Sequence, residues 1–365
     1  MHIIFAGGGT GGHLFPGVAI AQAVQQLKPD WSVSFVGSGN RLEARVVPKL
    51  GYDFDALWIS GFKRRISVDA LLLPLKILVS LAQSWNILRR RKPALVVGTG
   101  GYASGPMLYM AAKTGRRTMI HEQNEYPGAT TRMLSSMVDE VYVTYESSAT
   151  RLPAAEKLFI SGNPVRPGLS RSSADDAKEF FGLMPERRTV FAFGGSLGSS
   201  SINKAVRQLV PRLVREGYQL IWQTGARDIA ELAAIGALYA GQVVVRAFID
   251  DMDKAYSAAD LVLCRAGATS LAELSVLGLP AILVPYPFAA ADHQYHNAKA
   301  MADAGAALVL RDTDLHMLEG QLFRLLDDDA TLGAMAAASS ALGRPQAAFD
   351  LAQAAIRLAE TGKGA

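Results

Sequence analysis

A single cysteine, Cys264, in 365 residues excludes an internal disulfide. Its run, Leu261-Val262-Leu263-Cys264, reads as a buried strand, which makes the thiol a core group rather than a reactive one. No stretch of about 18 uninterrupted apolar residues occurs, so no membrane-spanning helix is expected. No basic segment precedes a long apolar run at the N-terminus, and no signal peptide is expected. Aromatic residues make up 8% of the chain and form no stacking platform beside the basic clusters, which argues against nucleic acid as a partner. Half the residues are apolar, which excludes a disordered chain, and the length suits two domains with separate cores. These absences favour the cytoplasm.

What the chain does have is glycine in clusters. Ile3 to Pro16 reads IIFAGGGTGGHLFP, with five glycines between Gly7 and Gly12 interrupted only by Thr10. Ile3, Ile4 and Phe5 read as a buried strand, and Val18, Ala19, Ala23, Val24 and Leu27 follow helical spacing. A strand, a glycine turn and a helix N-terminus point backbone N–H groups at an anion, usually a phosphate. Gly7, Gly9 and Gly12 fit the dinucleotide pattern, but the second strand, Val33–Val36, ends in Gly37-Ser38-Gly39-Asn40 without the acid that would hold a ribose. His13 stands where a phosphate-loop lysine would be needed. A nicotinamide oxidoreductase is therefore a rival reading, demoted for want of that acid.

The stretch recurs. Val190 to Gly198 reads VFAFGGSLG, and superposing Phe5 on Phe191 aligns Gly8, Gly9, Thr10 and Gly12 with Gly194, Gly195, Ser196 and Gly198. Two copies half a chain apart predict two similar domains. In each half, strand and helix signals alternate, which predicts an α/β fold with two Rossmann-like parallel-sheet domains and ligands at the carboxyl ends of the strands. Gly162-Asn163-Pro164-Val165-Arg166-Pro167 reads as the linker. The boundaries are accordingly 1–162 and 163–344, with a helix at about 345–361 packing back on the first domain.

Charge is divided unequally. Residues 1–162 carry 18 Lys plus Arg against 11 Asp plus Glu, leaving 19 against 22 for the remainder. Much of the surplus lies in 61–93, where Lys63, Arg64, Arg65, Lys76, Arg89, Arg90, Arg91 and Lys92 face one acid, Asp69, around the apolar run Leu71–Leu81 and Trp85. This stretch reads either as a core helix with solvated ends or as a surface for an anionic bilayer.

Several residues could carry chemistry. His13 follows the first glycine loop and could take a proton near neutral pH, or simply pack at the turn. Glu273, off the apolar stripe of Leu271, Leu274 and Leu277, either complements a helix dipole or chelates a ribose; the glycine turn before it favours the ribose. Asp251-Met252-Asp253 could suggest manganese but reads as a helix cap. Asp292, His293 and His296 lack a further ligand cluster, so polar contacts are expected there rather than a metal.

Together, GGTGGHLFP (8–16), GGYASGP (100–106), HEQN (121–124), GNPVR (162–166), GGSLGS (194–199), FIDDM (248–252), CRAGATSLAEL (264–274) and QYHNA (294–298) resemble the MurG family, in the same order and over essentially the whole chain. These are bacterial glycosyltransferases that add N-acetylglucosamine to the lipid-linked muramyl-pentapeptide of peptidoglycan synthesis. The resemblance implies a GT-B fold whose domains face across a cleft, with an acceptor- and membrane-associated first domain and a donor-binding second. It also implies UDP-N-acetylglucosamine as donor, lipid I as acceptor, and an inverting reaction with no metal or other cofactor. It places the enzyme peripherally on the cytoplasmic face of the inner membrane.

Carried onto this chain, the resemblance puts Thr10, Gly11, Gly12, Asn124, Arg166, Ser196, Ile249, Met252, Ala268, Thr269, Ser270, Leu271, Ala272, Glu273 and Gln294 at the donor site. Gly9 and Tyr102 fall on the acceptor side. His13 is the first candidate base; Glu122 is the second, acting directly or by orienting His13. His293 departs from the glutamine usual in the family. Helix N-termini at Ser196 and Ala268, with Arg166, would steady the leaving diphosphate. The remaining rivals are a diacylglycerol glycosyltransferase using a UDP-hexose and a nucleotide-sugar-binding protein without turnover.

Overall fold

Ile3, Ile4 and Phe5 are at most 1% exposed and form the centre of β1 (His2–Gly7), which is covered on both faces as a parallel strand must be. β1 pairs on one side with β2 (Ser32–Ser38) and on the other with β4 (Leu95–Gly100). Adding β3 (Asp53–Leu57), β5 (Arg117–Glu122), β6 (Glu140–Val143) and β7 (Leu158–Ile160) gives a parallel sheet in the order β3-β2-β1-β4-β5-β6-β7. The computed structural model describes residues 1–60, 72–195 and 197–362.

The described chain divides into two units, Met1–Pro167 with Arg344–Ala365, and Gly168–Gly343. The first boundary thus falls five residues beyond 162, because Asn163, Pro164 and Val165 are buried in the first unit. The last helix, Ala347–Glu360, packs along the helix Gly11–Leu27; Leu351, Ala352 and Ala355 share a core there with Ile20 and Val24. Arg357 on that helix donates to both oxygens of the buried Glu140 carboxylate, at 3.1 and 2.6 Å. Where the chain leaves and rejoins this unit, Gly162 (φ +76°) lies under Arg344, and a Cβ there would come within 2.7 Å of the Arg344 side chain.

In the second unit, β8 (Thr189–Phe193), β9 (Gln219–Gln223), β10 (Val243–Arg246), β11 (Leu261–Cys264), β12 (Ala281–Leu283) and β13 (Ala307–Val309) run parallel in the order β10-β9-β8-β11-β12-β13. With β8 placed on β1, this is the order of the first sheet less one edge strand. Each order reverses direction at the strand that bears a glycine loop, the position where open α/β sheets bind ligands. Cys264 is fully buried in β11, and burial pushes its thiol up.

Candidate functional site

Thr10 precedes the helix Gly11–Leu27, and its carbonyl accepts the N–H groups of His13 and Leu14. His13 therefore sits in the first helical turn beside the sheet's carboxyl edge. A Cβ on Gly100 (φ +96°) would stand 2.6 Å from His13 Nδ1, and one on Gly101 (φ +81°) would strike the Gly8 carbonyl. The two glycine loops of this unit interlock only because both positions lack a side chain. Tyr102, just beyond, is 53% exposed.

His13 Nδ1 lies 3.1 Å from Gln123 Oε1. Gln123 in turn bonds through Nε2 to the His121 carbonyl and ring Nδ1, and His121 Nε2 meets the Gly162 carbonyl at 3.0 Å. Burial holds His121 well below the usual histidine range, at about 4. Glu122, expected to orient His13 or serve as a base itself, faces elsewhere. Its carboxylate, 2% exposed, accepts from Asn124 N and Nδ2, Gly128 N and Thr131 Oγ1. Four donors commit it to shaping the loop 122–131, in which Asn124 is held, and the bond to His13 comes from its neighbour Gln123.

The first glycine loop is not the bare phosphate cradle its sequence predicts. Gly9 N–H and Ser38 N–H both donate, at 2.9 Å, to the carboxylate of Glu43, which is 1% exposed. Gly8 and Gly37 make the room: a Cβ on either would lie within 2.4 Å of the Glu43 side chain. A carboxylate already occupying these donors repels an anion.

The second loop has the opposite character. Ser199 caps the helix Ser200–Arg215, and its hydroxyl and that of Ser201 receive Arg265 Nη2 at 2.7 and 2.8 Å. Arg265, 9% exposed, also reaches the carbonyls of Val284 and Pro285 and the Asp312 carboxylate. Gln223 ties the loop to the next segment: Nε2 donates to the Gly195 carbonyl, and Oε1 receives Ile249 N–H at 2.8 Å. Ile249 is buried, with its N–H already engaged. Ser196 lies outside the described residues.

The helix Ala268–Leu277 starts after Gly267, with Ala268, Thr269, Ser270, Leu271 and Ala272 in its first turns. Thr269 Oγ1 is buried with no hydrogen-bond partner among the described residues. Glu273 accepts a 2.8 Å bond from Tyr256 Oη, so the side chain is aimed as well as charged. Gln294 Oε1 receives Tyr286 N–H, and His293 Nδ1 bonds the Ala290 carbonyl three residues back. Met252 opens the helix Met252–Ala258; Asp251 occupies the cap position but makes no side-chain cap bond, and pairs with Lys254 instead. Arg166, in the first unit, is exposed. Among the described residues, no group of three or more His, Cys, Asp or Glu side chains is arranged to hold a metal ion.

The basic surface is also altered. Lys76 is buried, bonding Ser60, while Arg90 pairs with Asp55, and Arg91 with Asp53 and Asp55. Asp53 and Asp55 lie on β3, outside the basic stretch, so counting acids within that stretch missed them. Among what the helix Leu73–Arg91 exposes are Leu75, Ile77, Leu78 and Trp85, with Arg89 stacked 4.6 Å over Trp85. Lys63, Arg64, Arg65 and Asp69 lie outside the described residues. No described helix is long and apolar enough to cross a membrane.

Residues 3–143 match the glycosyltransferase family 28 N-terminal domain, and 189–351 match the family 28 C-terminal domain. A Chlorobium limicola protein named UDP-N-acetylglucosamine--N-acetylmuramyl-(pentapeptide) pyrophosphoryl-undecaprenol N-acetylglucosamine transferase is 42% identical, over 99% of this chain and 100% of its own. A Salinibacter ruber protein of the same name is 40% identical, over 98% and 97%. Among solved structures, Acinetobacter baumannii MurG superposes with a TM-score of 0.77 at 30% identity, covering 98% of this chain and 99% of that one. A putative UDP-N-acetylglucosamine 2-epimerase from Listeria monocytogenes, 15% identical with a TM-score of 0.69 over 98% and 96%, shares the fold.

Proposed function

The chain belongs to glycosyltransferase family 28, with the GT-B fold, and from that premise we propose that it transfers N-acetylglucosamine from UDP-N-acetylglucosamine to the 4-hydroxyl of lipid-linked muramyl-pentapeptide. The observation that carries this reading is identity of about 40% along the full length of proteins named for that reaction. The reaction is a single in-line displacement. The acceptor oxygen bonds to the anomeric carbon, the bond to the diphosphate breaks, and its electron pair leaves with UDP, inverting the centre.

The second unit supplies the donor site. In that unit the start of the helix Ala268–Leu277 turns positive potential toward the growing diphosphate charge, with Arg265, paired to Asp312, holding the loop before the helix Ser200–Arg215. Glu273, oriented by Tyr256, takes the ribose hydroxyls; Ile249, Met252 and Gln294 contact the base and sugar. The first unit supplies the acceptor side, where His13 takes the proton of the attacking hydroxyl and Gly9 and Tyr102 line the approach.

The chain works peripherally at the cytoplasmic face of the membrane, and the exposed apolar face of the helix Leu73–Arg91 is its docking surface. A transfer assay with lipid I and UDP-N-acetylglucosamine tests the reading, with UDP-glucose and diacylglycerol as competing substrates. Product from the N-acetyl sugar and lipid I is expected. Preference for UDP-glucose with diacylglycerol would transfer the protein to the glycolipid enzymes, and donor binding without any product would leave a binding protein.

A further inference from the structure

Four hydrogen bonds in the first unit fix where the proton on His13 resides. The Gly162 carbonyl can only accept, so His121 Nε2 carries hydrogen and, in the neutral ring, His121 Nδ1 carries a lone pair. The His121 ring is wholly buried and stays neutral at physiological pH. The His121 carbonyl can likewise only accept, so the group of Gln123 that sits 2.8 Å from it is the NH2. That NH2 also faces His121 Nδ1 at 3.0 Å, a lone pair it can satisfy. The amide oxygen of Gln123 is thereby turned to His13, and an amide oxygen is an acceptor. His13 Nδ1 must donate to it.

Resting on the transferase reading above, we propose that Gln123 is a positioning residue that holds the His13 proton on Nδ1 and so leaves the Nε2 lone pair for the acceptor hydroxyl. In the displacement, that hydroxyl's proton passes to Nε2 as its oxygen bonds the anomeric carbon. The ring becomes an imidazolium whose Nδ1–H still bonds Gln123, and Nε2 then returns the proton to water. The amide neither gains nor loses a proton. Its task is orientation, anchored through His121 to the Gly162 carbonyl on the chain leading out of the unit. A wrong tautomer presents N–H rather than a lone pair to the substrate, and a histidine base in that state does not function.

Two-bond proton–nitrogen correlation spectra of the full-length protein at neutral pH, with His13→Gln and His121→Asn used for assignment, read the tautomers directly. The expected wild-type spectrum has His13 protonated on Nδ1 and His121 on Nε2. Gln123→Met should release His13 to a mixed or Nε2-protonated state and lower turnover by about tenfold to a hundredfold, with the acceptor KM nearly unchanged. Gln123→Glu keeps an acceptor oxygen toward His13 but loses the NH2 that the His121 carbonyl and Nδ1 hold, so it should keep the Nδ1–H form on His13 while its turnover stays below wild type. A wild-type His13 protonated on Nε2 would overturn the proposal even if Gln123→Met failed to fold. So would a Gln123→Met protein with unchanged tautomer and turnover. Wild-type tautomers as stated in a protein without transfer activity would overturn the transferase reading and leave the assignment of the protons standing.

Discussion

Gly9 N–H donates to Glu43 Oε2 at 2.9 Å, and this bond separates the chemistry of two loops that look alike in sequence. Both follow a central strand and both open a helix, but the first closes on its own carboxylate and the second on Arg265. The first loop is held by a carboxylate and the second by a guanidinium that Asp312 pairs.

Replacing Glu43 by Ala should therefore damage structure without touching the donor. Ser38 N–H would lose its partner in a buried setting, which costs about 1–3 kcal/mol, while Gly9, in an exposed loop, can turn to water. Urea unfolding should show a loss of about 2 kcal/mol. Calorimetric titration should find the affinity for UDP-N-acetylglucosamine within about twofold of wild type, because the second unit has its own core. A tenfold loss of donor affinity would mean that the first loop holds the diphosphate after all.

Arg265→Lys tests the second loop. One guanidinium spans Ser199, Ser201, Asp312 and two carbonyls, which an ammonium on a flexible stem cannot reproduce. The donor dissociation constant should rise about tenfold or more, and turnover should fall by about a hundredfold as the developing diphosphate charge loses support. Unchanged kinetics would confine Arg265 to a structural role.

Much of this was legible in the sequence. The repeat of GGGTGG in GGSLG predicted two sheets of one topology, because a glycine turn between a buried strand and an apolar-periodic helix is a local pattern. What escaped were bonds between distant segments. Glu43 is one acid on a short helix, and only the room left by Gly8 and Gly37 shows that its carboxylate turns inward. Gln123 lies between two better-known residue types, and alternation along β5 and its exit decides that it, rather than Glu122, faces His13. Asp53 and Asp55 cancel charge on Arg90 and Arg91 across a strand–helix contact that no window of sequence contains.

Stability should depend on pH in two separable windows. The unfolded chain protonates His121 as pH falls through its ordinary value of 6.5, while the folded protein keeps it neutral to about 4. Stability is thus lost as pH falls across that interval, by about 3 kcal/mol in all. His2, also lowered, by burial first and by Arg91 next, adds to the same slope. Burial would raise the Glu140 carboxyl, but Arg357 and Tyr142 outweigh it and hold it below its ordinary 4.5. Its contribution is present above 4.5 and lost below, as pH falls through the folded value. Urea midpoints should fall steadily from pH 6.5 to 4 in wild type, less so in His121→Asn. The further fall below 4.5 should flatten in Arg357→Met. Identical curves for wild type and His121→Asn would refute the buried neutral histidine.

The helix Leu73–Arg91 makes the last prediction. At its basic end Arg90 and Arg91 are paired within the protein, so apolar side chains, of which Leu78 is 65% exposed, should supply part of the attraction to lipid. Burying a leucine side chain of this kind contributes about 1.5–3 kcal/mol. Leu78→Asp should thus lower partitioning onto phosphatidylglycerol-containing vesicles by about tenfold or more, whereas raising salt should weaken wild-type binding without abolishing it. Arg89, stacked on the exposed Trp85, keeps a cation beside the apolar face and should contribute to the salt-sensitive part. Binding that vanished entirely at high salt while Leu78→Asp bound like wild type would place the contact on the basic residues alone.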